Sequence, residues 1–349
     1  MYKLIEFTTE KKYTKMFLSL PLKVYKGDKN YVKESKLKVK NWLIGNHPCA
    51  KFLIKKNLIV LKDNTPVARG IVFINQIGKF GSIGFFECLN DEGAVKLLAD
   101  KAIEFCKAHS IKKIYATMNG SIWGDYRIMT KGFLDKPFMG EPYNKPYYFD
   151  VLIKSGFGVV KRWESQFVDD IKKDRVAKRI KFIAKLKGTS KITTRSMQNF
   201  DQDIHIMHKL VLNSFADFFL FHPIDEQTYT KIYGAMKRIC NKQTLKLAFD
   251  KQNRPIGFGL AFPDYQSKLG FLFKHTKRYI LWFFGINQKN GLSADPYAFK
   301  ELVSPLLNYI YYKNKGCISA MISEDSKALR ITQEYDYTHE YVLLETKVD

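Results

Sequence analysis

Two stretches of the chain repeat one order of elements, and that repetition limits the fold more than any bulk property. In the first, Leu58 to Leu61 predicts a strand, residues 63–66 (D-N-T-P) a turn, and Val67 to Asn75 a second strand. Ile83 to Cys88 follows as a short apolar strand. Asn90 or Asp91 then caps a helix over Gly93 to His109 that carries Val95, Leu97, Leu98, Ala102, Ile103 and Phe105 on one face, and Ile111 to Thr117 is a further strand. In the second stretch the same sentence recurs: strand Thr244 to Phe249, turn 251–255, strand Ile256 to Phe262, buried strand Tyr279 to Phe284, a polar loop, a helix from about Ala298 to Asn314, and strand Cys317 to Ser323. No short period accompanies it, so the pattern predicts a duplicated domain and not a solenoid. Strand–loop–helix–strand units cover a sheet with helices, which gives a mixed α/β (α+β) fold class. At 349 residues the chain can bury two cores. The expected division is 1–165, a basic helical linker over 166–190, and 191–349.

Charge narrows the partners. A formal net charge of +24 attracts anions: nucleic acid, anionic lipid or a phosphorylated cofactor. Its densest part is 171–195, with ten Lys/Arg against the single acid Asp174. Val176, Ile180, Ile183, Ala184 and Leu186 recur there at helical spacing. Two readings stay open for this helix: peripheral contact with an anionic inner-membrane surface, or an apolar side packed on the protein with solvated lysines. The cysteines at 49, 88, 106, 240 and 317 are odd in number and lack C-x-x-C spacing, which argues against a disulfide framework and a zinc site and for a cytoplasmic protein. The longest apolar run, Tyr279 to Ile286, is far short of the ~20 residues a membrane span needs. His205, His208 and His222 offer no clear ligand spacing, so no metal is expected. No helix-turn-helix, zinc-finger or RNP pattern is present, so specific DNA binding is not expected.

The chemistry concentrates at 279–294, Y-I-L-W-F-F-G-I-N-Q-K-N-G-L-S-A, where an apolar strand runs into a glycine-bearing loop and a helix begins near Asp295 or Pro296. Small residues let successive N–H groups converge, a helix N-terminus adds its positive end, and Gln288 and Lys289 add a donor and a charge. Those are the elements of a pyrophosphate cradle. In this stretch the chain resembles the GNAT (GCN5-related N-acetyltransferase) superfamily, whose signature after the fourth strand is Gln or Arg, two residues, Gly, one residue, then Gly or Ala. Gln288, Gly291 and Ser293 stand at those places, the last departing slightly. The resemblance implies that acetyl-CoA or a longer acyl-CoA is held by Phe284, Gly285 and Ile286 at the thioester end and by Gln288, Lys289, Asn290, Gly291, Leu292, Ser293 and Ala294 around the pyrophosphate.

Further segments resemble a bacterial group of tandem-GNAT acyltransferases of unassigned substrate: F-L-S-L-P-L-K-V-Y-K-G-D (17–28), G-F-F-E (84–87), A-T-M-N-G-S-I-W-G-D-Y-R (116–127), G-E-P-Y-N-K-P-Y-Y (140–148), G-F-G-L-A-F-P-D (257–264) and M-I-S-E-D-S-K-A-L-R (321–330). The loop at 88–93, C-L-N-D-E-G, is acidic and lacks the signature, so the first domain is expected to bind no CoA, or to bind it poorly, and to shape the acceptor site instead. That role falls to a polar-aromatic cluster after its last strand, with Asn119, Tyr126, Arg127 and Glu141 as candidate catalytic residues; Arg127 and Glu141 pairing only as scaffold is the competing reading. The resemblance implies direct attack of a small or lipid-linked amine on the thioester. It calls for a general base, for which Glu141 and Glu87 stand ahead of Glu324 and Asp325, and a proton donor. The family's donor is a Tyr where this chain has Thr332, and Asn is common where it has Ser326. Two alternatives remain: a Fem-like aminoacyl transferase using tRNA, and a degenerate GNAT pair acting as a basic binding module.

Overall fold

The computed structural model describes residues 1–185, 192–266, 271–272, 275–286, 296–326 and 335–348, and at 174–176, 179, 183, 184, 283 and 296–299 the backbone alone. Its contacts divide the chain into Met1–Trp163 with His339–Asp349 (unit 1) and Glu164–Thr338 (unit 2). Set beside the expected 1–165, 166–190 and 191–349, this division places the last strand with unit 1 and the basic helix within unit 2.

Unit 1 contains β1 (Tyr2–Phe7), α1 (Lys11–Val24), α2 (Lys36–Leu43), β2 (Leu53–Lys62), β3 (Thr65–Asn75), β4 (Phe80–Cys88), α3 (Glu92–Ala108), β5 (Lys113–Ala116), β6 (Ile128–Lys131) and α4 (Tyr148–Lys154). β7 (Gly158–Val168) leaves it at Trp163. Its sheet runs β1-β2-β3-β4-β5 and ends on β13 (Tyr337–Lys347), with β6 also paired to β13. The predicted hairpin is present: Lys62 faces Thr65 across a turn in which Asp63 and Asn64 have φ of 49° and 61°, the left-handed pair a two-residue loop requires. β4 and β5 are parallel and α3 connects them. Asp91 caps α3, accepting from the Ala94 N–H at 3.1 Å, and Ala94, Val95, Leu98, Ala99, Ala102 and Cys106 recur at three- and four-residue spacing on its buried face. They meet Leu58, Val60, Val72 and Ile83 of the sheet and Leu20 of α1, and Val342 and Leu344 of β13 complete the same core. Each such aliphatic side chain stabilises by roughly 1.5–3 kcal/mol on burial.

Unit 2 continues with α5 (Asp174–Lys185), β8 (Thr193–Ser196), α6 (Phe200–Ser214), α7 (Glu226–Tyr233), β9 (Leu245–Phe249), β10 (Pro255–Pro263), β11 (Arg278–Ile286), α8 (Pro296–Tyr312) and β12 (Gly316–Ser323). The end of β7 flanks β12, and the sheet runs on through β11, β10, β9 and β8. Among the described residues, two parts of its core lie against α8. Leu302 and Val303 of α8 meet Ala248 and Ile256, and Leu306 and Ile310 meet Ala261, Tyr279 and Leu281. The basic helix α5 turns Ile180 into the second of these, while Phe182 is 65% exposed. Part of its apolar side is therefore occupied by unit 2 itself. Among the described residues no helix is long and apolar enough to cross a membrane, and no cysteine is in a disulfide.

Candidate functional site

In unit 2 the two parallel strands at the middle of the sheet part company. Among the described residues, β11 and β12 are paired from Arg278↔Gly316 to Leu281↔Ser319 and no further. Beyond that point β11 stays with β10 as far as Gly257↔Ile286. The separation starts at a bulge: Leu260 faces Phe283 and Ala261 faces Leu281, so Trp282 is an extra residue on β11. An extra residue bends the bulged strand and increases its twist, and here the bulge falls where the pairing with β12 ends. A wedge-shaped opening between the carboxyl ends of two parallel strands is where mixed α/β sheets bind ligands. Phe284 and Ile286 lie half-buried along this stretch. Gly285 is held tightly: a Cβ there would come 2.7 Å from the Phe258 ring and 3.2 Å from Phe215 and Ser214. Only a glycine lets β11 approach the end of α6 this closely. Gln288, Lys289, Asn290, Gly291, Leu292, Ser293 and Ala294, together with Thr332, lie outside the described residues.

Ser214 was not legible from sequence. It sits beside Gly285, is buried, and its hydroxyl has no hydrogen-bond partner among the described residues. A lone serine at a helix end carries no sequence signal that would have singled it out. The histidines of this unit have ordinary neighbours. His208 Nε2 contacts the Ile224 carbonyl at 2.8 Å, His222 Nδ1 the Leu220 carbonyl at 3.2 Å, and His205 the Glu226 carboxylate.

Unit 1 has the same arrangement with the wedge closed. β4 pairs with β5 from Gly81↔Ile114 to Ile83↔Ala116, and β4 carries its own bulge, since Arg69 faces Glu87 while Ile71 faces Gly84. Where the strands would open, Asn119 fills the gap, its Oδ1 accepting from the Phe85 N–H at 2.8 Å. The fit is close enough that a Cβ on Gly84 would lie 2.5 Å from Asn119. The N-terminus of α3 is also occupied. Asp91 caps it, accepts from the Tyr2 hydroxyl at 2.6 Å, and pairs with Lys62 at 3.0 Å. A carboxylate already satisfies the helix end that a phosphate would need.

The other candidates of unit 1 form two neighbouring groups. The Arg127 guanidinium lies over the Tyr126 ring at 3.9 Å and over the Trp163 ring at 4.4 Å. The Glu141 side chain has no exposed surface. Its Oε1 takes hydrogen bonds from His339 Nδ1 at 2.8 Å and from the Tyr341 hydroxyl, and Oε2 takes one from the Phe138 N–H at 3.0 Å. His339 also meets Asp135 at 3.1 Å through Nε2. Burial opposes the imidazolium, but Glu141 and then Asp135 outweigh it and hold the His339 pKa above the ordinary value.

Glu87, the second candidate base, belongs to a different buried cluster. Burial raises its pKa to about 7 against the pull of Arg69, with Glu34 adding to the rise. The Tyr148 hydroxyl donates to it at 2.5 Å, and Arg69 Nη2 stands 3.9 Å away. Arg69 is fully buried, and its position follows from Pro21 inside α1. A proline has no N–H, so the Phe17 carbonyl loses its helical donor; Arg69 Nη1 supplies one at 2.8 Å and stacks on the Phe17 ring at 4.5 Å. The sequence signal for Arg69 was a lone charge inside an otherwise apolar strand, which is rarely buried without partners.

No protein-family profile matches the chain and no curated protein matches it. Solved structures do. A tandem GNAT protein from the clavulanic acid biosynthesis pathway, solved without AcCoA, matches with a TM-score of 0.58 at 9% identity over 100% of this chain and 99% of that one. A GCN5-related N-acetyltransferase from Sphaerobacter thermophilus matches with 0.56 at 12% identity over 99% and 96%. A protein of Enterococcus faecalis V583 described as a probable N-acyltransferase matches with 0.59 at 6% identity over 100% and 73%. All three span this chain end to end, and at such identities the likeness speaks for the fold. The chain thus has the mixed α/β fold of two GNAT-type domains in tandem.

Proposed function

We propose that the protein is an acyl-CoA-dependent N-acyltransferase whose second unit holds the acyl-CoA. The observation that carries the reading is the parting of β11 from β12 after Leu281, at a bulge and directly ahead of the Gln288–Ser293 signature. The described residues fit such a group, since Gly285 keeps β11 close to α6 and the β12-facing edge of 282–286 is outside the ladder. An acyl-CoA bound there would supply the activated thioester. The chain's own part is to hold the acyl end against Phe284–Ile286, to exclude water with the aromatic side chains of β10 and β11, and to cradle the pyrophosphate with residues 288–294. The fold of the similar solved proteins, two of them described as N-acetyl- or N-acyltransferases, supports the same reading.

In this proposal unit 1 binds no CoA, because Asn119 occupies its wedge and Asp91 its helix N-terminus. Tyr126, Arg127 and Glu141 are proposed to support unit 1 and not to act on the acceptor, since the Glu141 side chain has no exposed surface and is shared between His339, Tyr341 and Phe138. The amine acceptor is proposed to be a small or lipid-linked amine, in a cytoplasmic protein whose basic α5 faces anionic surfaces. The reading is tested by calorimetric titration of the full chain with acetyl-CoA, with long-chain acyl-CoAs and with tRNA. Saturable acyl-CoA binding supports it. Binding of tRNA alone, with a steep salt dependence, would replace it with aminoacyl transfer.

A further inference from the structure

Unit 1 contains a cavity of about 60 Å³ that the acyl-transfer reading leaves unused. Its floor is Arg69. Pro21 and Leu22 of α1, Val39 of α2, and Tyr31 and Glu34 of the connecting loop line it with Arg69. That volume accommodates several water-sized groups, each needing about 10–15 Å³ by this measure.

The floor is incompletely satisfied. Arg69 Nη1 is used by the Phe17 carbonyl, and Nη2 donates to Glu34 Oε2 at 2.7 Å. Nε has no hydrogen-bond partner among the described residues, although the side chain is 1% exposed. Nε and Nη2 share one edge of the planar guanidinium, and that edge matches both oxygens of a carboxylate. Glu34 therefore grips a two-pronged fork by one prong. A buried donor left over in this way calls for an explanation.

Glu34 can also leave. Its side chain is 37% exposed and it lies on the irregular segment before α2, so water and a competing carboxylate can reach it. Lys33 and Lys36 at the rim give the entrance a positive bias. Glu87 Oε1 lies 3.9 Å from Nη2, and burial pushes the Glu87 carboxyl up to about 7, which weakens its hold on the guanidinium.

We propose that unit 1 carries a binding site for a small aliphatic carboxylate, which takes the Nε–Nη2 edge of Arg69 with both oxygens and displaces Glu34 from it. The carboxylate end is fixed by the guanidinium, and the alkyl end lies against Pro21, Leu22 and Val39. Glu34 occupies the edge when the ligand is absent and so acts as a built-in competitor. The site does not depend on the acyl-transfer reading, because none of its residues belongs to unit 2.

The test is a titration of the full-length protein with butyrate, followed by Tm and by calorimetry, against 1-butanol and inorganic phosphate at matched ionic strength. Butyrate is expected to bind saturably where butanol does not, and phosphate to act only through ionic strength. Glu34→Ala removes the competitor and is expected to tighten butyrate binding about tenfold, a change of ~1.4 kcal/mol. Leu22→Trp, at a residue 46% exposed, fills the mouth and is expected to abolish binding while the protein stays folded. Arg69→Lys keeps the charge but lacks the fork, and Glu34→Ala and Leu22→Trp carry the test if that variant does not fold. The proposal is overturned if butyrate does not bind, if phosphate or butanol matches it, if Glu34→Ala leaves or weakens its affinity, or if Leu22→Trp retains it.

Discussion

Replacing His339 by alanine tests the buried cluster that ties the last strand into unit 1. The imidazole bridges two carboxylates of unequal surroundings. Asp135 is half exposed, so its arm contributes at most about 1 kcal/mol after screening. Glu141 has no exposed side-chain surface, and removing its partner leaves a buried carboxylate with only the Tyr341 hydroxyl and one backbone N–H. Breaking a buried pair in this way costs about 3–5 kcal/mol, so the Glu141 arm dominates the expected loss. The loss depends on pH with a definite sign. The folded-state pKa of His339 is raised, so the stabilisation is complete below the unfolded imidazole value of about 6.5 and falls as pH rises through the folded value. The assay is urea unfolding followed by tryptophan fluorescence, since Trp42, Trp123 and Trp163 report on unit 1 and Trp282 on unit 2. His339→Ala should cost more at pH 6 than at pH 9, and a Glu141→Gln background should remove most of that difference. A loss below about 1 kcal/mol at pH 6, or one that does not change with pH, would refute the argument.

Three further outcomes follow from contacts already described. Asn119→Ala strands the buried Phe85 N–H and should cost about 1–3 kcal/mol, with faster hydrogen exchange at the Phe85 amide; unchanged exchange there would contradict the plugged wedge. Pro21→Ala restores a helical N–H to α1, a change that ordinarily gains ~3 kcal/mol, but Arg69 already bonds the Phe17 carbonyl, so denaturation should show less than half of that gain. Gly285→Ala places a methyl 2.7 Å from the Phe258 ring and should destabilise unit 2 by about 1–3 kcal/mol, visible in the Trp282 signal; a neutral effect would mean that β11 and α6 are not in close contact.

The duplicated order of elements could be read from the sequence because hairpin turns and helix caps are local. Asp63-Asn64 at a two-residue turn and Asp91 ahead of α3 act within a few residues of their own position, and both do what the sequence suggests. The placement of Tyr337–Lys347 could not be read in the same way. Its partners are Ile128–Lys131 and Lys113–Ala116, roughly two hundred residues away, and nothing in an alternating strand names the sheet it joins. For the same reason the polar-aromatic cluster was visible only in part. Tyr126, Arg127 and Glu141 stood out from the sequence, whereas His339 and Tyr341, which engage Glu141, arrive from the far end of the chain. Asn119 stands out in the sequence as a candidate catalytic residue after a strand, and its place beside the end of the β4–β5 pairing depends on a three-dimensional fit to Gly84 that no spacing reveals.

We propose that the two GNAT-type units are unequal, one open to an acyl-CoA and one closed. The most direct measurement is the stoichiometry of acyl-CoA binding to the full chain by calorimetry, for the wild type and for Gly291→Trp. The account predicts one site per chain in the wild type and none in the variant, with the fold intact by circular dichroism. Two sites per chain, no site at all, or unchanged binding by Gly291→Trp would contradict it.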